Sequence, residues 1–315
     1  MKPKVAIATG DPAGIGPEIS LKAALDPAVR ELCEPVLIGD RGAVEAHAAA
    51  CGISLRGLEI RVRNQLHAGE LKIGEIAPAH GRAALDSAET AIRGALAGEF
   101  EAVVAAPHVE SAIRAAGVDF DGYPSFVARV AGLASEDAVL MLCFLHEGRE
   151  IRIAHVTLHA AVAQALRMLS RERVLRTLRA VHQALARIDG RSPRLAVSGV
   201  NPHAVGEEER TVIGPALEAA RAEGVAVDGP IGADTLIQRQ GYDAYVVMLH
   251  DQGHVAAKLL APNGAAALTI GTPVLFSSVA HGAALDIAGK GIAEHRAMVE
   301  AITRLVGQRR RCRAT

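Results

Sequence analysis

A chain of 315 residues with a formal net charge of −1 has no charge excess of the kind that draws proteins to nucleic acid or anionic membranes. Apolar residues make up 50% and aromatics 3%, with no tryptophan, so Ala, Val, Leu and Ile must fill the interior, as in alternating α/β proteins with aliphatic buried strands. Cys33, Cys51, Cys143 and Cys312 lie far apart with no CxxC pair and read as reduced thiols of a cytoplasmic protein. No apolar run approaches the ~18 residues of a membrane span. The chain enters a strand at once, without signal-peptide architecture, and the basic end RRRCRAT at 309–315 reads as a solvated terminus. The expectation is a soluble, intracellular globular protein, of one large domain or two lobes.

The first predicted strand, Val5–Thr9, runs into GDPAGIGPE, Gly10–Glu18. Pro17 and Glu18 suit the first turn of a helix. A dinucleotide fingerprint is tempting, with Asp40 ending the next strand where a ribose-binding acid would stand. The spacing, however, is GxxxGxG rather than GxGxxG, and Asp11 and Glu18 would put negative charge where a pyrophosphate should sit. Further strands are predicted at Pro35–Gly39, Glu101–Pro107, Ala138–Leu145, Ile151–Leu158, Arg194–Val200, Ala244–Leu249 and Ala266–Gly271. Between them fall helical patterns at Ser87–Ala97, Ala160–Met168, Glu172–Ile188 and Gly214–Glu223; Val174, Leu175, Leu178, Val181, Leu185 and Ile188 keep helical spacing. This alternation predicts doubly wound sheets with right-handed crossovers. There are no repeats, no low-complexity segments and no long linker, so two lobes would require the chain to pass between them more than once.

Three of the 13 histidines share a position. His159 follows the strand ending at Leu158, His203 follows Asn201 and Pro202 after the strand ending at Val200, and His250 follows Leu249. Ligands of open α/β sheets bind beyond the carboxyl ends of strands, and three imidazoles delivered there suit Zn²⁺ or another late first-row cation. Any one of them alone reads as a surface or hydrogen-bonded histidine. Together, with Asp251 directly after His250, they point to a metal or catalytic site. Lys258, near His250, Asp251 and His254, is either an acid–base group with a lowered pKa or a solvated amine. Asp234 reads equally well as a helix N-cap.

With these residues in place, GDPAGIGPE, TLH (157–159), NPHA (201–204), GADT (232–235) and YDAYVVMLHDQG (242–253) resemble the 4-hydroxythreonine-4-phosphate dehydrogenase family, over nearly the whole chain to about Gly291. The resemblance implies two interlinked α/β/α lobes of the isocitrate/isopropylmalate dehydrogenase type, with the active site in the cleft between them. Residues 1–130 plus 275–315 would form the cofactor-side lobe, and 131–274 a central lobe carrying metal ligands and dimer contacts. It also implies a homodimer with a divalent metal between subunits, held by His159, His203 and His250, with Asp234, Asp251 and Lys258 lining the same site. Zn²⁺ leads the candidates, with Co²⁺, Mn²⁺ and Mg²⁺ conceivable.

HGAALDIAGKGIAEH, His281–His295, is similar to the HGSAPDIAGKGIANP loop that holds the adenosine half of the cofactor in isopropylmalate and isocitrate dehydrogenases. This implies cofactor contacts at His281, Gly282, Ala283, Ala284 and Asp286, and an acid at 286 favours NAD over NADP. Glu294 and His295 depart from that pattern. GDPAGIGPE in turn resembles the GDGIGPE of the isopropylmalate dehydrogenases, which places Ile15 beside the cofactor.

The departures from the family gather at the substrate. Pro107, His108, Val109 and Glu110 stand where the family reads PINK, and Gly122, Tyr123, Pro124 and Ser125 where it reads GHTE. An Asn, an Arg and an Asp that the family uses fall on Ala267, Phe276 and Ala280. Losing a Lys and an Arg while gaining a Glu removes groups suited to a phosphate dianion, whereas Phe276 and Tyr123 would offer apolar faces to a ring. PHVESAI (107–113), GYPS and LLAPNGAAAL (259–268) resemble the terephthalate cis-dihydrodiol dehydrogenase branch. That implies NAD-dependent, metal-assisted oxidative decarboxylation of 1,2-dihydroxy-3,5-cyclohexadiene-1,4-dicarboxylate to protocatechuate. Lys258 and Asp251 would transfer protons, supported by Asp234, while His108, Tyr123 and Asn263 would contact substrate. The rivals are a dehydrogenase of a phosphorylated hydroxy acid such as 4-phosphohydroxy-L-threonine, and a non-catalytic ligand-binding protein on the same scaffold.

Overall fold

The structure, a computed structural model, describes residues 2–63, 66–67, 69–261, 265–279 and 281–306. Asn263, Ala280 and Cys312 lie outside the described residues. The chain begins with β1 (Lys4–Ala8), α1 (Gly16–Leu25), α2 (Pro27–Leu32), β2 (Glu34–Asp40), α3 (Arg41–Ala50), β3 (Glu59–Arg63), α4 (Pro78–Leu96), β4 (Ala102–Ala105), α5 (Glu110–Ala115) and α6 (Tyr123–Val130). It continues with β5 (Val139–His146), β6 (Arg149–His155), α7 (Val162–Met168), α8 (Arg171–Asp189), β7 (Arg194–Ser198), α9 (Gly214–Ala222), β8 (Ala226–Ile231) and α10 (Ala233–Leu236). β9 (Ala244–Val247), α11 (His250–Leu260), β10 (Ala266–Ile270), β11 (Phe276–Val279) and α12 (Arg296–Val306) complete it. Two compact units result: Met1–Leu133 with Pro273–Thr315, and Ala134–Thr272.

In the first unit all strand pairs are parallel, in the order β3-β2-β1-β4-β11. Both faces of such a sheet are covered, so its strands read as continuous aliphatic runs: Val5–Ala8, Val36–Ile38 and Ala102–Ala105 are wholly buried. The core adds Ile92, Phe126, Val127 and Phe276. Each side chain of this size contributes about 1.5–3 kcal/mol on full burial. Strand order decides where function falls. The chain moves outward from β1 to β2 and β3, then returns to place β4 on the other flank of β1, and the carboxyl ends beside such a switch point form the ligand crevice of open α/β sheets.

The second unit is mixed. β10 and β6 flank β5 antiparallel, while β6, β9, β7 and β8 run parallel. β5 and β6 form a hairpin, turning through Glu147 and Gly148 at positive φ, so the expected parallel winding gives way there. Phe144, Ile153, Leu236, Tyr245 and Val247 form its core. α8 shows how the sequence sets bounds. Ser170 caps its N-terminus by accepting the Arg173 N–H, and Gly190 ends it in the left-handed conformation (φ 71°). Beneath it, Arg152 of β6 and Asp189 form a two-pronged buried ion pair at 2.6 and 2.9 Å.

Candidate active site

In the first unit three segments meet beyond the carboxyl ends of β1, β4 and β11: Gly10–Ile15, Ala106–Val109 and His281–Asp286. The Asp11 N–H donates to the Pro107 carbonyl (2.9 Å), the Ile15 N–H to the Ala283 carbonyl (2.8 Å), and the Gly74 N–H to the Ala13 carbonyl (2.8 Å). The glycines of the opening motif serve this packing. Gly10 has φ +70° and a Cβ there would lie 2.3 Å from the Pro107 oxygen, while a Cβ on Gly14 would lie 2.7 Å from Ala283 Cβ. Thus Ile15 and Ala283, both expected beside the cofactor, are brought together, with both side chains buried. His281, Gly282 and Asp286 remain exposed, and Ala284 holds φ +41°. Among these, the described contacts leave His281, Gly282 and Asp286 as the groups open to a ligand.

The acids of the motif, read in the sequence as an obstacle to a pyrophosphate, are turned into the fold. Glu18 is fully buried; it accepts from Lys22 Nζ (2.7 Å) and from the Ala293 N–H (2.8 Å), while Lys22 Nζ donates on to the Gly291 and Ala293 carbonyls. Its charge is spent tying α1 to the segment at 291–293. Asp11 is buried too and accepts from the Ala13 N–H (2.9 Å); desolvation pushes its carboxyl above the usual range despite that bond. Asp40 caps α3 by accepting from the Ala43 N–H, in keeping with the spacing that spoke against a dinucleotide fingerprint here.

Of the expected substrate contacts in this unit, His108 keeps partial exposure, its ring edge-on to Phe120 and Tyr123 at 4.8 Å each. Burial pulls the His108 pKa down, against the pull of Glu110, so its imidazole is neutral near pH 7. Tyr123 is buried, its hydroxyl donating to the Ala106 carbonyl at 3.4 Å, and it packs on Phe276, which has no exposed surface. The apolar faces expected of Phe276 and Tyr123 therefore lie in the core of this unit.

The three expected histidines, all in the second unit, lie past strand ends, a little farther out than the sequence implied. β6 ends at His155, β7 at Ser198 and β9 at Val247. His159 and His203 are exposed on the following loops, and His250 opens α11. His159, His250 and Asp251, with Thr157, Val162 and Leu249, line a recess of about 260 Å³. The two rings are 5.7 Å apart between centroids. Two imidazoles on one tetrahedral ion, with metal–nitrogen distances of about 2.0–2.1 Å, would have centroids roughly 5 Å apart, so this pair fits half of a metal site. The His250 Nδ1 and the Asp251 Oδ1 are 2.7 Å apart; an Nδ1–H donated there leaves Nε2 as the ligating nitrogen. His203 sits in a turn with φ +57°, as does Ala204, held by Glu209, whose carboxylate accepts from the Val200 and Asn201 N–H groups and from Asn201 Nδ2. Among the described residues, no group of three or more His, Cys, Asp or Glu is arranged to hold a metal ion.

Asp234, exposed, lies in the first turn of α10 behind Gly232, which takes the N-cap position that the sequence allowed for Asp234. Lys258 is exposed on α11, and His250, His254 and Lys258 follow at i, i+4, i+8 along one face. Four groups were not read from the sequence: His155, buried within 4.7 Å of the His254 ring, and Thr157, Glu209 and Gln252, which bond the backbone around the histidines. A glutamine three residues past a helix N-cap, and a histidine in an aliphatic strand, were the available signals.

A pair of α/β units, one with a switch-point crevice and the other with imidazoles poised past strand ends, is a framework suited to an enzyme that binds its ligands at strand ends. Residues 31–305 match the family model described as "Pyridoxal phosphate biosynthetic protein PdxA", and the chain belongs to that family. It is 43% identical to the 1,2-dihydroxy-3,5-cyclohexadiene-1,4-dicarboxylate dehydrogenase of a Comamonas species, over 97% of this chain and 98% of that one. It is 36% identical to the 4-hydroxythreonine-4-phosphate dehydrogenase of Geobacter metallireducens, over 96% and 94%. A solved terephthalate 1,2-cis-dihydrodiol dehydrogenase of Burkholderia xenovorans LB400 superposes with TM-score 0.76 at 39% identity, covering 96% of this chain and 97% of that one. A β-decarboxylating dehydrogenase of Thermococcus kodakarensis, 22% identical, shares the fold alone (TM-score 0.53; 98% and 83% covered). The expected fold class is thereby met, and the chain is an oxidoreductase of the dehydrogenase type. Among the described residues, no helix is long and apolar enough to cross a membrane.

Proposed function

We propose that the protein oxidises a carboxylated cyclohexadiene cis-diol with NAD and releases CO2; the Comamonas relative is named as a dehydrogenase of such a dihydroxycyclohexadiene dicarboxylate. The observation that carries this reading is His108. A neutral, partly desolvated imidazole is boxed by Phe120 and Tyr123, and two residues on Glu110 stands where the family's PINK motif has its Lys. Such an imidazole donates a hydrogen bond to a ring carboxylate and is poorly matched to a phosphate dianion.

Imidazole donors suit a divalent cation, and His159, His203 and His250 would hold it, His203 coming from a second copy of the chain; exposed Leu145 (57%), Val255 (54%) and Leu259 (78%) on the same unit would offer such a copy an apolar seat. When bound, the cation supplies Lewis-acid stabilisation of a developing oxyanion, and NAD accepts the hydride. His281, Gly282, Ala283, Ala284 and Asp286 orient the adenosine half, with Ile15 beside it. Asp286 accepts from a free ribose 2′-hydroxyl and repels a 2′-phosphate. Asp251 orients His250 and, with Lys258, moves protons: one takes the hydroxyl proton as the alcohol becomes a ketone β to the carboxylate. Loss of CO2 then leaves an electron pair that completes the aromatic ring, which drives the second step. Asp234 supports Lys258, and His108 contacts substrate.

The test is NADH formation, followed at 340 nm, with the terephthalate diol and with 4-phosphohydroxy-L-threonine, each with and without chelator. Turnover of the diol that stops on chelation is the expected result. Turnover of the phosphorylated substrate alone would establish the second reading, which the family and the Geobacter relative favour.

A further inference from the structure

Gln252 makes more connections than its place in a helix requires. Its Oε1 accepts from the Met248 N–H (2.9 Å), the Leu249 N–H (3.0 Å) and Ser198 Oγ (3.4 Å), and its Nε2 donates to the Gly199 carbonyl (2.9 Å). The amide orientation is set by these partners, since a flipped group would aim NH2 at two N–H donors and an oxygen at a carbonyl. The Met248 peptide is gripped from its other end as well: its carbonyl accepts from both Thr157 Oγ1 (2.7 Å) and the Thr157 N–H (3.1 Å).

These bonds join three loops. Thr157 precedes His159 by two residues, Met248 precedes His250 by two, and Gly199 begins the turn that presents His203. Accepting from Leu249, the residue before α11, is ordinary capping by a residue at the third helical position. Donating to Gly199 on the end of a different strand is not part of capping.

We propose that Gln252 is a positioning residue that fixes the loops after β6, β7 and β9 to one another and so sets how one chain presents His159 and His250 to its own site and His203 to the site of a second copy. The inference rests on the metal reading given above. Imidazole ligands act on a cation only when their loops are held, and groups behind a ligand commonly change metal affinity by 10–100-fold.

The test uses the full-length protein with two variants and two measurements. Gln252→Met removes every bond; Gln252→Glu keeps the acceptor for Met248 and Leu249 but loses the donor to Gly199. Co²⁺ affinity is titrated by its visible absorption, and amide hydrogen exchange is followed by mass spectrometry in chelator, with 78–96 as the internal reference. Gln252→Met is expected to weaken Co²⁺ binding at least tenfold and to speed exchange at 199–205 and 248–251, with 78–96 unchanged. Gln252→Glu is expected to speed exchange at 199–205 while 248–251 stays protected. Co²⁺ affinity within twofold of wild type in Gln252→Met, or unchanged protection of 199–205 in Gln252→Glu, overturns the proposal. Faster exchange at 78–96 in both variants overturns it as well, because the effect would then be a general loosening. Wild-type protein that binds no Co²⁺ at all, with His250→Ala indistinguishable from it, overturns the metal reading itself and the role assigned on it.

Discussion

The Ile15 amide donates to the Ala283 carbonyl at 2.8 Å, joining the first turn of the chain to the loop expected to hold the cofactor. Beside that bond Gly14 has no room for a side chain, since a Cβ would lie 2.7 Å from both Ala283 Cβ and the Ala283 oxygen. Gly14→Val therefore must push the 281–286 loop away. Overpacking of this kind costs about 1–3 kcal/mol, and the displaced loop is expected to raise the Kd for NAD at least tenfold. Calorimetric titration with NAD checks this; unaltered affinity would separate the loop from cofactor binding.

His108 and Tyr123 touch edge to face at 4.8 Å but differ in what they leave for a ligand, since Tyr123 is buried and His108 is not. His108→Ala is expected to raise KM for the diol roughly tenfold, the equivalent of one hydrogen bond to a charged group at about 1.5 kcal/mol. Tyr123→Phe loses a long bond to the Ala106 carbonyl and should change KM less than threefold. Initial-rate kinetics on both variants distinguishes a ligand group from a core group; equal effects would mean that the Tyr123 face opens to substrate.

The pattern of the chain disclosed the aliphatic strands and the longest helix because burial on both faces and 3.6-residue spacing leave marks in composition. It did not disclose β3, β8 or β11, whose sequences EIRVR, AVDGPI and FSSV mix charge, glycine and serine into short edge or inserted strands. Histidines 159, 203 and 250 were legible as a group because each follows a strand. The work of Gln252, Glu209 and Thr157 was not, since a side chain that bonds backbone in a distant loop has no local spacing to betray it. Phe276 misled for a related reason: matched to a ligand-facing position by motif, it packs against Tyr123 in a sheet covered on both faces, and burial of that kind leaves no local mark.

His47 and Glu18 give the first unit an acid sensitivity with a defined sign. His47 is fully buried, its Nε2 3.0 Å from the Pro12 carbonyl, and burial holds its pKa below the ordinary 6.5 despite that bond and the nearby Glu18. The folded chain refuses a proton that the unfolded chain takes up, so stability is lost as pH falls below about 6.5. Glu18 acts lower. Burial alone would raise its pKa, but the bonds from Lys22 and the Ala293 amide outweigh burial and hold it below 4.5; its contribution is present above that value and lost beneath it. His47→Gln keeps a donor for Pro12 without titrating. It should remove most of the slope between pH 6.5 and 5, up to about 1.4 kcal/mol per pH unit for one proton, in urea unfolding. An unchanged slope would place the sensitivity elsewhere.

Arg152 and Asp189 are both more than nine-tenths buried and bond through two prongs. Asp189→Ala removes the two-pronged partner of a buried guanidinium in the second unit and is expected to cost about 3–5 kcal/mol. Replacing both, as Arg152→Met with Asp189→Leu, should recover most of that loss, because the desolvation of two charges is relieved with the pair. Chemical denaturation of the single and double variants decides it. A double variant no better than Asp189→Ala would show that the pair contributes more than the removal of a buried charge.

Chelation and the histidine variants bear on the centre of the reading. His159 and His250 face one recess with centroids 5.7 Å apart, and Asp251 stands 2.7 Å from the His250 Nδ1. If these two imidazoles and His203 hold one cation, then His203→Ala abolishes diol turnover and lowers metal affinity by at least tenfold, although His203 touches neither ring among the described contacts. Because His203 would serve a site completed by a second copy, mixing His203→Ala with His250→Ala protein should restore part of the activity: a heterodimer then carries one intact set of ligands. Rates measured across mixing ratios should peak near equal amounts. Full activity of His203→Ala protein after chelation would mean that the turn at 201–205, strained as it is, serves the fold and not the metal.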